Sequence, residues 1–285
     1  MTSARRLYRL GAGIAALGVV APVLAIAVAL WALEFRMPSP GALAAACRDF
    51  LLPGVGAGGA LVLAPAGLGA VALFLGARSL SRQLRAHRRF MAALVPAGSR
   101  EMGRSSITVF EGRAPGAFCA GFLRPRIFLS RGAVERLPVA ELAAVVAHER
   151  HHLERRDPLR IMAARVLRDA LFFLPVLGRL ERRYAALAEI AADEAAARQR
   201  SPQTLASALL AFGDSRALAG GVGIAPERVD HLLGRPPGWR LPLSPLLGSL
   251  VLLGGLVAGT AAAGALVADS SLNAAMLLAQ NCCSR

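Results

Sequence analysis

Three residues in this sequence have types and spacing suited to metal chemistry: His148, Glu149 and His152, which fit the pattern H-E-x-x-H. On a helix, residues four apart lie on one face, so the two imidazoles could bind a single metal ion. Glu149 follows the first histidine and is placed to accept a proton from an attacking water molecule. The pattern therefore predicts a metal site on a helix, with a general base beside it.

The alternative for this segment is a charged, solvated helix end, because HERHHLERRD is polar throughout. Upstream, Leu142, Val145 and Val146 would give the helix a buried side, which supports a helix here. His151 has two candidate roles. It could compete as a ligand, three residues after His148, but simple solvent exposure is the expectation.

A catalytic zinc ion takes about three protein ligands and keeps one position for water, so two histidines are not enough. Glu189 and Asp193 are four apart on one predicted helical face, in the Ala-rich segment AEIAADEAAA. A carboxylate pair there would be costly to bury without a partner. Glu189 as the third ligand, with Asp193 orienting a ligating histidine, would explain both. The alternative is an exposed acidic stripe that includes Glu194, and Glu181 is the reserve candidate for the third ligand.

Short β-prone segments separated by Gly and Pro precede the histidine helix, and helical segments follow it. A small sheet of about three strands is predicted at Ile107–Phe110, Ala117–Ala120 and Arg126–Leu129. Pro138 opens the histidine helix, which runs to about Arg156 and must end near Pro158. Further helices are predicted over residues 159–178, 180–199, 202–213 and 226–233.

Long uncharged runs indicate a membrane protein. Apolar residues make up 55% of the 285 residues and charged residues only 18%. This composition excludes intrinsic disorder, and the 4 cysteines are too few to hold together a small disulfide scaffold of this length. About 20 apolar residues cross a bilayer, and three runs are longer than that. They are Leu10–Leu33, which we interpret as an uncleaved anchor, Phe50–Ala77 and Leu241–Ala268.

The distribution of arginine predicts the orientation, because loops rich in Lys and Arg favour the cytoplasm. Arginines cluster before the first run and after the second, whereas the loop between these runs holds only Arg36 and Arg48. The N-terminus and the segment after Ala77 are therefore expected to be cytoplasmic. The basic cluster at residues 78–89 is expected to face anionic lipid and not nucleic acid.

The predicted fold class is an integral membrane protein, mainly α, with a small β-sheet in a domain between transmembrane helices. We expect an N-terminal membrane region at 1–77 with helices at about 10–33 and 53–77, a cytoplasmic domain at 78–240, a transmembrane helix at 241–268 and an extracytoplasmic tail at 269–285.

Two further features are left with alternatives. Residues 161–180 carry charges and Pro175, so we predict a buried or membrane-apposed helix, with a fourth crossing as the alternative. A disulfide from Cys47 to Cys282 or Cys283 would be allowed on the oxidising side, with free thiols as the alternative.

HERHHLERRDP, the hydrophobic segment with FFLP, and AEIAADEAA together resemble the membrane zinc metallopeptidases of the BlaR/MecR antirepressor family. The upstream segment GFLRPRIFLSRGAVERLPVAELAAVVAHE is similar to that family and to its HtpX-type relatives. The resemblance covers roughly residues 105–235 and implies a gluzincin-type fold. It implies Zn²⁺ at His148, His152 and Glu189, with Glu149 as general base and Asp193 orienting a zinc-binding histidine.

The resemblance implies an endopeptidase in the inner membrane that hydrolyses a protein substrate at the cytoplasmic face, such as a transcriptional repressor. An extended substrate could pair with one of the short strands, for which Ala117–Ala120 is the candidate. The alternatives are an HtpX-like quality-control protease or a non-catalytic metal-binding scaffold. No oxyanion stabiliser is evident. Tyr184 and His231 are candidates, although a structural role is the simpler expectation for both.

The β-lactam receptors of this family carry a large C-terminal penicillin-binding sensor domain and four membrane spans. Here about 17 residues follow the last of three predicted spans, so we expect no such sensor. A separate sensor or repressor protein would then supply the signal, or the enzyme would act constitutively.

Overall fold

A computed structural model describes residues 2–32, 57–102, 105–213 and 242–262, and these residues are mostly helical, with one small mixed sheet. In chain order the elements are α1 Thr2–Ala32, α2 Ala57–Ala93, β1 Pro96–Met102, β2 Ser105–Phe110, β3 Ala117–Ala120, β4 Arg126–Ser130, α3 Arg131–Arg136, α4 Val139–Arg155, α5 Asp157–Ala170, α6 Pro175–Gln199, α7 Pro202–Gly213 and α8 Leu243–Ala262.

The described residues divide into two compact units. One takes in the described parts of residues 1–12, 77–168 and 177–241, and the other takes in those of 13–76, 169–176 and 242–285. The sheet and all the candidate site residues belong to the first unit.

Three helical segments of the described chain are long and apolar enough to cross a membrane: Arg6–Val28, Ala64–Ala93 and Leu243–Ala262. Each overlaps one of the uncharged runs that predicted a span. The second begins within its run but continues through the basic cluster, because α2 does not end before Ala93. Cys47, Cys282 and Cys283 and the predicted tail lie outside the described residues.

The sheet has the strand order β1-β2-β4-β3. β1 pairs antiparallel with β2, β2 pairs parallel with β4, and β3 pairs antiparallel with β4. The three predicted strands are confirmed, with β2 starting two residues earlier than expected. β1 was missed because PAGSREM is polar and mostly exposed, so it lacks the apolar alternation that marks a strand. β3 forms one edge of the sheet.

The two faces of the sheet have different neighbours. Ile107, Ile127 and Leu129 form a buried cluster with Leu142, Val145 and Val146 of α4. This burial confirms the predicted apolar side of α4. On the other face, Phe118 stacks on Phe128 with a centroid separation of 5.2 Å. Phe90 of α2 contacts the same Phe118 ring at 5.1 Å. α4 is therefore fixed against the face of the sheet that carries the apolar cluster.

The histidine helix begins after Pro138 and ends as predicted, but the helices after it differ from the prediction. Arg156 adopts a left-handed conformation with φ of 52°, and its N–H caps α4 by reaching the carbonyls of His152 and Leu153. α5 then begins at once with Asp157, and Pro158 falls in its first turn, where its missing N–H costs nothing.

The predicted boundary between helices at residues 178–180 was wrong. Residues 171–174 form a turn, and α6 begins at Pro175, so this proline opens a helix instead of kinking one. Residues 161–180 are therefore not a single helix, and they are not among the candidate spans of the described chain. α7 matches the helix predicted at 202–213, whereas the helix predicted at 226–233 and His231 lie outside the described residues.

Candidate metal centre

Two imidazoles from α4 and one carboxylate from α6 meet at a single point. Nε2 of His148 lies 3.2 Å from Nε2 of His152. The Glu189 carboxylate approaches both rings, with Oε2 3.6 Å from His148 Nε2 and Oε1 3.5 Å from His152 Nε2. One donor atom from each of the three residues lies within 4.8 Å of the others, and no other such group of His, Cys, Asp or Glu occurs in the described residues.

Local sequence explains why these three side chains converge. The spacing of four puts both histidines on one face of α4, and both are buried, with 8% of each residue exposed. α6 is rich in alanine near Glu189, and Ala188 and Ala192 are buried at 3% and 0% exposure. Small side chains let a helix backbone approach its neighbours closely, which leaves room for the longer Glu189 side chain to reach the rings.

A second pair of carboxylates stands behind the rings. Oδ1 of Asp193 lies 2.9 Å from Nδ1 of His148, which is close enough for an ion pair. The contact does not have the geometry of a regular hydrogen bond. Oδ2 of Asp157 lies 3.0 Å from Nδ1 of His152. Asp157 and Asp193 are almost fully buried, at 2% and 1% exposure. Each histidine therefore has a carboxylate at Nδ1 and directs Nε2 toward the common point.

This arrangement calls for a cation between the rings. When both rings are neutral, a carboxylate at Nδ1 favours the tautomer with its proton on Nδ1, so both Nε2 atoms can present lone pairs. These lone pairs and the Glu189 carboxylate then converge on one point, as the ligands of a metal ion do. Zinc binds histidine nitrogen at about 2.0–2.1 Å in tetrahedral geometry, which places two such nitrogens about 3.3 Å apart. The observed Nε2 separation of 3.2 Å fits that requirement.

The electrostatics of the site reflect the same convergence of charged groups. Burial by itself lowers the pKa of His148, but the carboxylates of Asp193 and Glu189 outweigh it and raise this pKa to about 10. For Asp157, burial opposes ionisation, yet the hydrogen bonds from His152 and Tyr184 hold its pKa below the ordinary value. His148 is therefore protonated at pH 7, which indicates that the surrounding carboxylates favour a positive charge at this point.

Glu149 is buried next to His148 on α4. It is 9% exposed, and its charge helps to raise the pKa of His148. Burial raises the pKa of the Cys119 thiol to about 12, and the nearby carboxylates of Glu149 and Asp157 add to the effect. Since Cys119 belongs to β3, the general-base candidate lies within electrostatic range of this strand of the sheet.

Two other acidic residues weighed for this site lie elsewhere. Glu181 accepts hydrogen bonds from Arg165 and Arg168, both at 3.2 Å, and is not part of the metal-binding group. Glu194 pairs with Arg198 at 3.4 Å on the same helix. The alternative, an exposed acidic stripe on this helix, is therefore wrong for Asp193, which is buried, whereas Glu194 is half-buried.

The prediction that His151 faces solvent was wrong. His151 is 7% exposed, and its Nε2 has no hydrogen-bond partner among the described residues. It lines a small cavity together with Arg155 and Tyr184. Burial and the neighbouring His152 lower the pKa of His151 to about 4, so the ring is neutral at pH 7. Its polar neighbours in the sequence predict solvent exposure, whereas the structure buries His148, His151 and His152 together.

Asp157 is the site residue that sequence reasoning missed. Its role depends on the left-handed turn at Arg156, which brings a residue five positions after His152 back to that ring. Tyr184, considered as an oxyanion stabiliser, instead donates a hydrogen bond to Asp157 Oδ1 at 2.7 Å. The available signal was an Asp directly before Pro158, which is typical of a helix start.

Comparison with known proteins places this geometry in a family. The family model for the BlaR1 peptidase M56 matches residues 59–216, which contain the sheet, both histidines and Glu189. No curated protein matches the chain. The match covers more than half of the 285 residues. The chain belongs to the BlaR1 peptidase M56 family, a family of metallopeptidases.

Proposed function

We propose that this protein is a membrane-integral zinc endopeptidase that hydrolyses peptide bonds of a protein substrate at the cytoplasmic face of the inner membrane. The observation that carries the proposal is the convergence of His148 Nε2, His152 Nε2 and the Glu189 carboxylate, within a region matched by a peptidase family. We assign the three residues as ligands of Zn²⁺. The peptidase domain is proposed to span residues 78–240.

The residues around the ligands divide the chemistry between them. When bound, zinc would polarise the scissile carbonyl and make an attacking water more acidic. Glu149 accepts the proton of that water and passes it to the leaving amine. Asp193 and Asp157 keep the two imidazoles in the tautomer that leaves Nε2 unprotonated. A scaffold that only bound metal would need no base at position 149, which favours an enzyme.

The substrate is proposed to bind along β3 as an added strand. β3 is hydrogen-bonded to β4 on one side, and no other strand of the described residues pairs with its other side, so this outer edge can accept an extended peptide. Cys119 of this strand lies within electrostatic reach of Glu149. A peptide on that edge would therefore run past the general base.

The membrane assignment rests on the three long apolar segments and on charge. Within the second segment, four exposed arginines follow the uncharged run that ends at Ala77. Their spacings place them on one face of α2: Arg78, Arg82, Arg85 and Arg89. Such a basic face beside a candidate span favours anionic lipid on the cytoplasmic side. A regulatory protein, such as a transcriptional repressor, is the proposed substrate at that side.

The deciding experiment separates metal binding from catalysis. The Glu149→Gln variant is expected to lose cleavage while retaining close to one zinc per chain. Glu154→Gln is the matched control, because Glu154 lies on the exposed side of the same helix. New protein N-termini are compared between cells that carry wild type, Glu149→Gln and Glu154→Gln. Cleavage that persists in the Glu149→Gln variant would show that the assigned mechanism is wrong.

A further inference from the structure

The first turns of α1 pack against α6 close to the metal centre. Ala4 and Leu7 are buried at 4% and 3% exposure. Tyr8, on the same helical face, contacts Tyr184 of α6 with a centroid separation of 5.4 Å. One turn further, a Cβ on Gly11 would lie 3.8 Å from Leu180, so the two helices are in ordinary contact there. The residues of α1 that contribute to this packing recur every three or four positions, which is the spacing of one face of a helix.

From Tyr8, a continuous series of contacts leads to a proposed zinc ligand. The Tyr184 hydroxyl donates to Asp157 Oδ1 at 2.7 Å. The other oxygen of the same carboxylate, Oδ2, lies 3.0 Å from His152 Nδ1. The series therefore joins four side chains from α1, α6, α5 and the end of α4, and only the last of them is a ligand.

We infer that Tyr8, Tyr184 and Asp157 form a positioning chain that orients the His152 imidazole for metal binding, so that the first turns of α1 support the metal centre. This inference rests on the zinc site proposed above and adds residues that do not touch the metal. Tyr8 lies outside residues 59–216, so the support from α1 is a feature of this chain beyond the matched family region.

The physical basis is that a carboxylate held at both oxygens cannot turn. Asp157 has one hydrogen bond at each oxygen, and rotation about its Cβ–Cγ bond would break both. Tyr184 is itself immobilised, since it is 2% exposed. The Tyr8 ring contacts Tyr184, and the central carbon of the Arg160 guanidinium lies 5.5 Å from the Tyr8 ring centroid. Losing either ring would loosen the orientation of the imidazole without removing any ligand.

The test measures zinc affinity of the purified full-length protein in detergent, by competition with a fluorescent chelator. Tyr184→Phe removes only the hydroxyl and is expected to weaken zinc binding by about tenfold, as is typical when a residue behind a ligating histidine is altered. Tyr8→Ala is expected to cause a smaller loss, about threefold, because it acts through Tyr184. Tyr8→Phe retains the ring and should keep the wild-type affinity.

A double-variant comparison shows whether the effect passes through Asp157. If it does, Tyr8→Ala should weaken zinc binding in the wild-type background but not further in the Asp157→Asn background. Phe90→Ala is the control for loss of an aromatic contact, since Phe90 meets Phe118 at a similar distance of 5.1 Å. Its zinc affinity should be unchanged, whatever its effect on the melting temperature.

The outcomes separate this inference from the proposed function. A wild-type protein that binds no zinc would overturn both the zinc site and the positioning chain. A wild-type protein that binds zinc, together with a Tyr184→Phe variant that binds it equally well, would overturn the positioning chain alone. Equal losses from Tyr8→Ala in both backgrounds would show that Tyr8 does not act through Asp157.

Discussion

Nε2 of His148 lies 3.2 Å from Nε2 of His152, and each ring is directed to this meeting point by a buried aspartate at its Nδ1. Two such nitrogens repel each other unless a proton or a metal ion lies between them. The distance therefore fits a site that holds a proton or a metal ion, and Asp157 and Asp193 contribute to it together with the spacing of the histidines.

Asp193 should matter for metal binding although it lies behind the ligand. Replacing Asp193 by Asn keeps the size of the side chain but removes the charge that favours the Nδ1-protonated tautomer of His148. We expect zinc affinity to fall by about 10–100-fold. Equilibrium competition with a chelator measures the change.

Glu194→Gln is the matched control, because it neutralises the adjacent acid, which pairs with Arg198 away from the rings. Unchanged affinity in Asp193→Asn, or an equal loss in Glu194→Gln, would contradict the assigned role of Asp193.

The proposed third ligand, Glu189, can be distinguished from the reserve candidate, Glu181, by a parallel comparison. Glu189→Gln should lower zinc affinity on the order of 100-fold, because a neutral amide is a poor ligand for this ion. Glu181→Gln should retain one zinc per chain, since its partners are Arg165 and Arg168. Metal content after dialysis measures both. Zinc lost from Glu181→Gln but retained by Glu189→Gln would reverse the assignment.

The candidate site could be predicted where it depends on helical spacing alone. Each helix carries one pair of residues spaced by four: His148 and His152 on α4, and Glu189 and Asp193 on α6. The structure brings all four together. Asp157 could not be found in that way. Its position depends on the one left-handed residue between α4 and α5, and a turn of that kind leaves no periodic signal.

Removal of metal should destabilise the folded protein. A ligand that binds only the native state adds stability, by about 2.7 kcal/mol at a free concentration of 100 times its Kd. We therefore expect a chelator to lower the melting temperature of the wild-type protein, and added zinc to restore it. Scanning fluorimetry in detergent measures the shift.

The same shift should occur in Glu149→Gln, which keeps all three ligands, and should be lost in His152→Ala. A chelator that leaves the wild-type melting temperature unchanged would contradict a native-state metal site.

The fold was predictable where apolar patterning or proline marks an element. β3, β4 and α4 were found because apolar runs and Pro138 define them. β1 was not found, because an exposed strand that is held by pairing with β2 needs few apolar residues. The start of α6 was misplaced because Pro175 is compatible both with a kink and with a helix start, and only packing decides between them.

Cys119 offers a chemical test of how β3 lies against α4. Burial, with Glu149 and Asp157 adding their charge, raises the pKa of this thiol to about 12. Only the thiolate reacts with iodoacetamide, so at pH 8 about one molecule in 10⁴ is reactive. In zinc-free protein with the other three cysteines replaced by Ser, we expect Cys119 to be alkylated on the order of a thousandfold more slowly than an exposed thiol.

The pH dependence of the alkylation rate shows the direction in which the pKa of Cys119 is shifted. Because this pKa is raised, the alkylation rate should keep rising by about tenfold per pH unit up to pH 11, whereas an exposed thiol levels off near pH 9. Glu149→Gln removes one of the charges that disfavour the thiolate and should speed alkylation, while Glu154→Gln should not. If Cys119 reacts at pH 8 as fast as an exposed thiol, then β3 is not enclosed beside Glu149, and the proposed path of the substrate past the general base would lose its support.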